Sequence, residues 1–178
     1  VEERIGRKLD IVSGGASSSY MRVLDGNIPE GINNLRIGEE ILLPQDLLYL
    51  YGYPLNGMYD DVFTLESQVI EVRDKPSYPV GELGVDAFGH KPVYIDKGIR
   101  RKVLLAMGHL DYCDYKDLIP QDKDVEILGC SSDHTIMDVT DAPRTYHVGD
   151  IVKFNLIYGT NLFLCHSQNV QKVFIDEE

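Results

Sequence analysis

A chain of 178 residues can build one sizeable core or two small ones, and 43% hydrophobic with 26% charged residues is an ordinary globular composition. With 17 Lys+Arg against 29 Asp+Glu the formal charge is -12, which repels phosphate backbones and anionic lipid and so argues against nucleic-acid or membrane partners. No apolar run approaches the roughly 20 residues that cross a bilayer, and the three cysteines and five histidines lack ligand spacing, so no metal site or disulfide framework is expected.

The chain opens on Val1 in charged sequence that leads into an apolar run, the way a piece of a longer protein begins. No targeting pattern is visible, and the expected compartment is cytoplasmic. Residues 9–12 read as a short strand that stops at Ser13-Gly-Gly15, a tight turn. A short helix is expected over residues 17–25, with hydroxyl residues at its start to cap free N–H groups. Asn34-Leu-Arg-Ile37 is a second strand, closed by Gly38, and residues 39–43 begin a helix that Pro44 interrupts. Strand, turn and helix repeated in this order form the unit of a parallel α/β fold.

After about Tyr59 the pattern changes. Residues 62–72, 91–95, 101–106, 125–128, 135–139, 151–157 and 170–175 are strand candidates, separated by turn clusters at residues 80–84, 87–90, 140–143 and 147–150. Short strands at this spacing suggest an antiparallel sandwich or barrel. The boundary falls near residues 52–60, which gives an α/β part over residues 1–55 and a β part over residues 56–178.

Two corners are candidates for chemistry, with an ordinary connecting loop as the alternative for each. Ser13-Gly-Gly-Ala-Ser-Ser-Ser19 and Leu35-Arg-Ile-Gly-Glu39 each lie between a strand and a helix start, where free N–H groups and small residues suit a phosphate. The first of these, followed by Pro29-Glu-Gly-Ile-Asn-Asn-Leu-Arg-Ile-Gly-Glu39, resembles the last part of the barrel of alanine racemase-like proteins, in the branch that includes ornithine racemase. Lys75-Pro-Ser-Tyr-Pro-Val-Gly-Glu-Leu-Gly-Val-Asp-Ala-Phe-Gly89 and Ile127-Leu-Gly-Cys-Ser-Ser-Asp-His134 are similar to that branch's C-terminal β-domain. Val148-Gly-Asp150 resembles a turn found across the wider family. The resemblance covers nearly the whole chain in order. It implies an α+β fragment: the C-terminal strands and helices of a (β/α)8 barrel that binds pyridoxal 5'-phosphate, followed by a mainly antiparallel β-domain.

The same resemblance implies site residues. The cofactor phosphate lies against Ser17 or Ser18 and the backbone N–H groups of Gly38 and Glu39. Arg36 is similar to the arginine that faces the pyridine nitrogen, with a surface arginine at a strand end as the alternative; a guanidinium donates and cannot accept, so a ring nitrogen facing it stays unprotonated. Tyr158 matches the tyrosine that bonds the phosphate from the C-terminal segment, with a packing role as the alternative. Asp133 matches an aspartate near the substrate carboxylate, with an ordinary turn residue as the alternative, and Ser132 replaces the family's methionine, a departure that fits a different or larger substrate. Tyr78, Asp86 and His134 are the candidates for the second proton-transfer group.

The family's Schiff-base lysine has no counterpart, since Lys75, Lys91 and Lys97 fall in turns, and this chain alone is expected to be inactive. The resemblance further implies an amino-acid substrate and a homodimer in which the β-domain of one subunit covers its partner's barrel. Two other readings stand beside the racemase: a non-catalytic β-domain module that mediates dimerisation, and a carrier of the same cofactor without racemase activity. The long β-rich region speaks against the second.

Overall fold

The structure, a computed structural model, describes residues 1–85, 89, 91 and 93–175. The chain divides into two compact units, Val1–Phe63 and Thr64–Glu178. In the first, a short helix α1 (Glu2–Ile5) precedes strand β1 (Ser13–Ala16), a 3-10 turn (Ser17–Ser19) and helix α2 (Tyr20–Leu24). Strand β2 (Asn34–Arg36) follows, then helices α3 (Glu39–Leu42) and α4 (Gln45–Tyr49). β1 and β2 pair in parallel with Ser13 opposite Asn34 and Ala16 opposite Arg36. Parallel strands need a crossover between them, and α2 supplies it.

One local expectation is corrected here. The strand is not residues 9–12 but the Gly-Gly stretch itself, where a turn was expected. A Cβ on Gly14 would come 2.1 Å from the Ile32 side chain, and one on Gly15 would come 2.6 Å from Ser19 Oγ. Gly15 also sits at φ 147. Here glycine is needed for close approach rather than for reversal of the chain. Asn33 then ties the lead-in to the pair: its Oδ1 accepts from Val12 N at 2.8 Å and its Nδ2 donates to the Asp10 carbonyl at 2.8 Å.

The second unit is one six-stranded antiparallel sheet with the order β5-β8-β3-β4-β7-β6. Its strands are β3 (Thr64–Pro76), β4 (Ile99–Leu105), β5 (Ile119–Pro120), β6 (Glu126–Cys130), β7 (Thr135–Asp138) and β8 (Ile151–Asn155). β3 organises it. Its first half alternates exposed and buried residues, and Leu65, Ser67 and Val69 point inward. That half pairs with β8, and the second half pairs with β4 after a register shift between Val69 and Glu71. Such an irregularity bends a strand and lets one sheet curve towards a half-barrel. Val69, Val103, Leu105, Met137, Val152 and Phe154 are almost wholly buried and form the core; each side chain of this kind removed from water contributes about 1.5–3 kcal/mol.

Two helices complete the unit, α5 (His109–Tyr112) and α6 (Tyr158–His166), neither expected from the sequence. Residues 91 and 93–95, and residues 170–175, were expected as strands and are irregular. Their apolar side chains are largely open, with Phe174 at 93% exposure, so no partner strand rewards extension there. Residues 87, 88 and 90 of the expected turn cluster 87–90 lie outside the described residues, as do residue 92 of the expected strand 91–95 and the candidate base Asp86. The turn before β8 forms as expected: Asp150 N donates to the His147 carbonyl at 3.1 Å, and Gly149 takes φ 98, which disfavours any side chain. Among the described residues no helix is long and apolar enough to cross a membrane.

Candidate functional site

Because β1 and β2 are parallel, both strand-to-helix corners leave the pair at the same end. Ser17 Oγ lies at the meeting point, accepting from the backbone N–H of Gly38 at 3.2 Å and of Glu39 at 3.1 Å. The two motifs singled out in the sequence are therefore one place. It offers a hydroxyl and two N–H groups at the start of α3, next to Gly38, where nothing stands within 4 Å of a would-be Cβ. A phosphate oxygen can take the acceptor role that Ser17 Oγ now fills, while the hydroxyl turns its proton outward to a second oxygen. The residues present thus fit a phosphate monoester. Ser18 is exposed, and its hydroxyl makes no hydrogen bond among the described residues.

Arg36 stands opposite Ala16 in the parallel ladder, one residue from Ser17. It is exposed, and no carboxylate among the described residues pairs with it. Glu39 is unusual: burial pushes its carboxyl up to about 8, helped by a hydrogen bond with Asp46 and by the charges of Asp46 and Glu40. At neutral pH it holds its proton. An anion at Gly38 and Glu39 therefore meets one negative charge fewer than the sequence suggests.

In the second unit, the turn over residues 131–134 joins β6 to β7 and holds Ser132, Asp133 and His134, all exposed. Ser131 closes it on itself, with its N–H donating to the His134 carbonyl at 2.8 Å and its Oγ accepting from His134 N at 3.1 Å. α5 backs the turn. His109 N donates to the Ser131 carbonyl at 2.9 Å and Leu110 N to the Ser132 carbonyl at 3.1 Å. Gly108 makes that approach possible, because a Cβ there would lie 2.3 Å from the Ser132 carbonyl oxygen. Asp111 fixes the support, accepting from Gly108 N at 3.0 Å and from Ser167 Oγ at 3.0 Å. Below the turn, Tyr112 OH and Thr135 Oγ1 are 2.5 Å apart, and burial raises the Tyr112 phenol well above its ordinary range.

His109 is the residue that sequence reasoning passes over. Nothing in the order Met107, Gly108, His109 marks it; its place beside the turn comes from a contact across 22 residues of chain. Tyr78 is elsewhere. It follows the end of β3 where Pro76 pairs with Ile99, whereas Thr135 pairs with Leu105 at the other end of β4. Six strand residues at about 3.4 Å each separate those ends by roughly 20 Å. The Tyr78 ring instead meets Tyr94 edge-on at 6.5 Å between centroids. Tyr158 opens α6, about half exposed, with no hydrogen bond from its hydroxyl to a described residue.

Comparison with known proteins adds a second line of observation. The chain is 50% identical over 165 residues to an ornithine racemase of Acetoanaerobium sticklandii, an alignment that takes in 93% of this chain and 46% of that protein. It is 41% identical over 174 residues to a lysine racemase of Thermotoga maritima, covering 98% of this chain and 48% of the relative. Among solved structures, the biosynthetic alanine racemase of Pseudomonas aeruginosa matches with a TM-score of 0.55 at 18% identity, over 95% of this chain and 49% of that one; this likeness speaks for the fold alone. The chain thus spans about half the length of the curated relatives it matches. No protein-family model matches it.

Proposed function

Since this chain belongs to the alanine racemase-like family, we propose that it is part of a pyridoxal-phosphate-dependent racemase that interconverts the L and D forms of an amino acid by moving its α-proton. One observation carries the reading: Ser17 Oγ and the N–H groups of Gly38 and Glu39 converge on one point. Residues 1–55 supply the last strands and helices of the cofactor barrel, and residues 56–178 the β-domain. The names of the two relatives, ornithine racemase and lysine racemase, favour a basic amino acid over alanine as substrate. Ser132, shorter than the methionine it replaces, leaves room for one.

Ser17, Gly38 and Glu39 would hold the cofactor phosphate, with Ser18 and Tyr158 as further donors. Bound there, pyridoxal 5'-phosphate supplies an electron-withdrawing ring that acidifies the α-C–H of an attached amino acid. Arg36, able only to donate, keeps a ring nitrogen facing it free of a proton. Ser132 and Asp133 would meet the carboxylate end of the substrate. His134, Tyr78 and Asp86 remain candidates for the group that holds the α-proton, and the place of His109 against the same turn adds a fourth. The active unit would be a homodimer in which the β-domain covers the partner's barrel. Neither β1 nor β2 contains a lysine to serve as covalent anchor, so turnover by this chain alone should be absent. That same feature favours the second reading, a non-catalytic module that mediates dimerisation.

A comparison of pyridoxal 5'-phosphate with pyridoxal, followed by fluorescence, tests the site. The phosphorylated form should bind more tightly, by about tenfold or more, and Ser17→Ala should erase the difference. Equal binding of both forms, unchanged by Ser17→Ala, would refute a phosphate site at these corners.

A further inference from the structure

Helix α5 reverses the usual pattern of burial. Asp111 is 7% exposed, while its neighbour Leu110 is open at 62%. A carboxyl group inside and a leucine outside conflict with what core packing alone would select, and such local conflicts mark positions set by another requirement. Burial of the carboxyl group is tolerated because its bonds replace the lost water. Oδ2 accepts from Gly108 N and Oδ1 from Ser167 Oγ, each at 3.0 Å. The first bond is local and closes the turn of α5. The second crosses 56 residues of chain to the end of α6.

α5 needs support from outside itself. It is four residues long, too short to be stable alone. It ends at Cys113 with φ 74 and ψ -72, where Asp114 N bonds to the Tyr112 carbonyl at 3.1 Å. That three-residue turn is strained for a residue with a side chain, and such strain persists only where the surroundings over-determine it. Ser167 is a fixed anchor. Its N–H donates to the Phe163 carbonyl at 2.9 Å, its Oγ accepts from Asn169 N at 3.2 Å, and its carbonyl accepts from Lys172 Nζ. From Ser167 back to Tyr158, α6 spans 9 residues, about 14 Å at 1.5 Å per residue.

We propose that Asp111 is a positioning residue that ties the turn bearing Ser132 and Asp133 to the helix that begins at Tyr158, so that the substrate-facing turn and the phosphate-facing helix move as one piece. The roles of those three residues come from the racemase reading, and the inference rests on it; the link itself rests on contacts. On one side Asp111 holds Gly108, and with it the His109 and Leu110 N–H groups that bond the Ser131 and Ser132 carbonyls. On the other it holds Ser167 and the end of α6.

The test compares Asp111→Ala, Asp111→Asn and Ser167→Ala, with Val152→Ala in β8 as a variant that loses core packing elsewhere. Asparagine keeps an acceptor for Gly108 N and reverses the second bond, its amide donating to Ser167 Oγ. In the labelled chain Asp111→Ala should shift the Ser132 and Asp133 amides and speed hydrogen exchange at His109 and Leu110 about tenfold or more. Ser167→Ala should do the same more weakly, and Asp111→Asn should restore both. Ser167→Ala decides the matter if Asp111→Ala does not fold. Val152→Ala should lower the thermal midpoint and leave the Ser132 and Asp133 amides in place. In the full-length enzyme Asp111→Ala should raise KM for the amino acid about threefold or more and change kcat less, and Asp111→Asn should bring KM back. Turn amides that stay put in Asp111→Ala and Ser167→Ala, that move equally in Val152→Ala, or that Asp111→Asn fails to restore would overturn the proposal, as would an unchanged KM. A full-length enzyme that racemises no amino acid would refute the racemase reading instead and leave the amide results standing.

Discussion

Replacing Gly108 by alanine gives a change whose sign is set by the structure. Gly108 has extended backbone, φ -149 and ψ -167, which any residue adopts, so no conformational strain attends a Cβ. On backbone grounds alone Gly108→Ala should stabilise the chain, by about 0.4–1 kcal/mol, because alanine has fewer unfolded states to lose. The tertiary contact reverses this. The new Cβ would sit 2.3 Å from the Ser132 carbonyl oxygen and 2.4 Å from Asp133 N, about 1 Å inside ordinary contact. The turn cannot yield freely, since the Ser131 and Ser132 carbonyls are pinned by His109 N and Leu110 N. Overpacking of this kind costs about 1–3 kcal/mol. A chain of this size loses about 2–4 °C per kcal/mol, so the midpoint should fall by roughly 2–12 °C. Thermal unfolding followed by circular dichroism reads the midpoint, and amide NMR shifts of Ser132 and Asp133 read the turn. A midpoint that rises, with those two amides unmoved, would refute the account of how α5 holds the turn.

Three further expectations follow from named contacts. Ser17→Ala removes the acceptor shared by Gly38 N and Glu39 N and should cost about 0.5–1.5 kcal/mol in urea unfolding, since water replaces the lost oxygen at a partly exposed site. Arg100→Met strands the nearly buried Asp138 carboxylate, whose bonds from Arg100 and Thr140 outweigh the effect of burial and hold it below its usual value; the cost should be about 3–5 kcal/mol, and Arg100→Met with Asp138→Leu should recover much of it. For Glu39 burial, with Asp46 and Glu40 beside it, pushes the folded carboxyl up to about 8 from its ordinary 4.5. The folded state therefore holds the proton longer, and the contribution of Glu39 is fully present below pH 4.5 and lost as pH rises through 8. Glu39→Gln should flatten that part of a stability-against-pH curve. An unchanged slope would mean that burial and Asp46 do not hold the carboxyl protonated.

Local chemistry made some of this visible in the sequence. The alternation from Leu65 to Val69 marked β3, and Gly38 with Pro44 bracketed α3 closely. The hydroxyl run after Ala16 and the Arg36-Ile-Gly-Glu39 corner stood out because free N–H groups at a strand-to-helix junction suit a phosphate and because the family resemblance runs through both; neither corner is specific by itself. What failed did so where distant residues decide. Gly14 and Gly15 read as a turn by composition, yet Ile32, Ser19 and Leu35 crowd them and demand a strand without side chains. Residues 170–175 carry strand-forming side chains, but propensity without a partner edge does not make a strand. His109 was invisible because its significance lies in a contact with Ser131 that no spacing predicts. The burial of Glu40, Gln45 and Asp46 was equally hidden. Each residue suits an exposed helix, and only the folded chain covers it.

The most direct measurement of the central claim follows backbone amides of the isotopically labelled chain during titration with inorganic phosphate. If the corners after β1 and β2 form one anion site, Gly38 and Glu39 should shift together and saturate, and the Ser17→Ala chain should lose that response. Shifts confined to lysine-rich surface, with Gly38 and Glu39 silent at saturation, would contradict it.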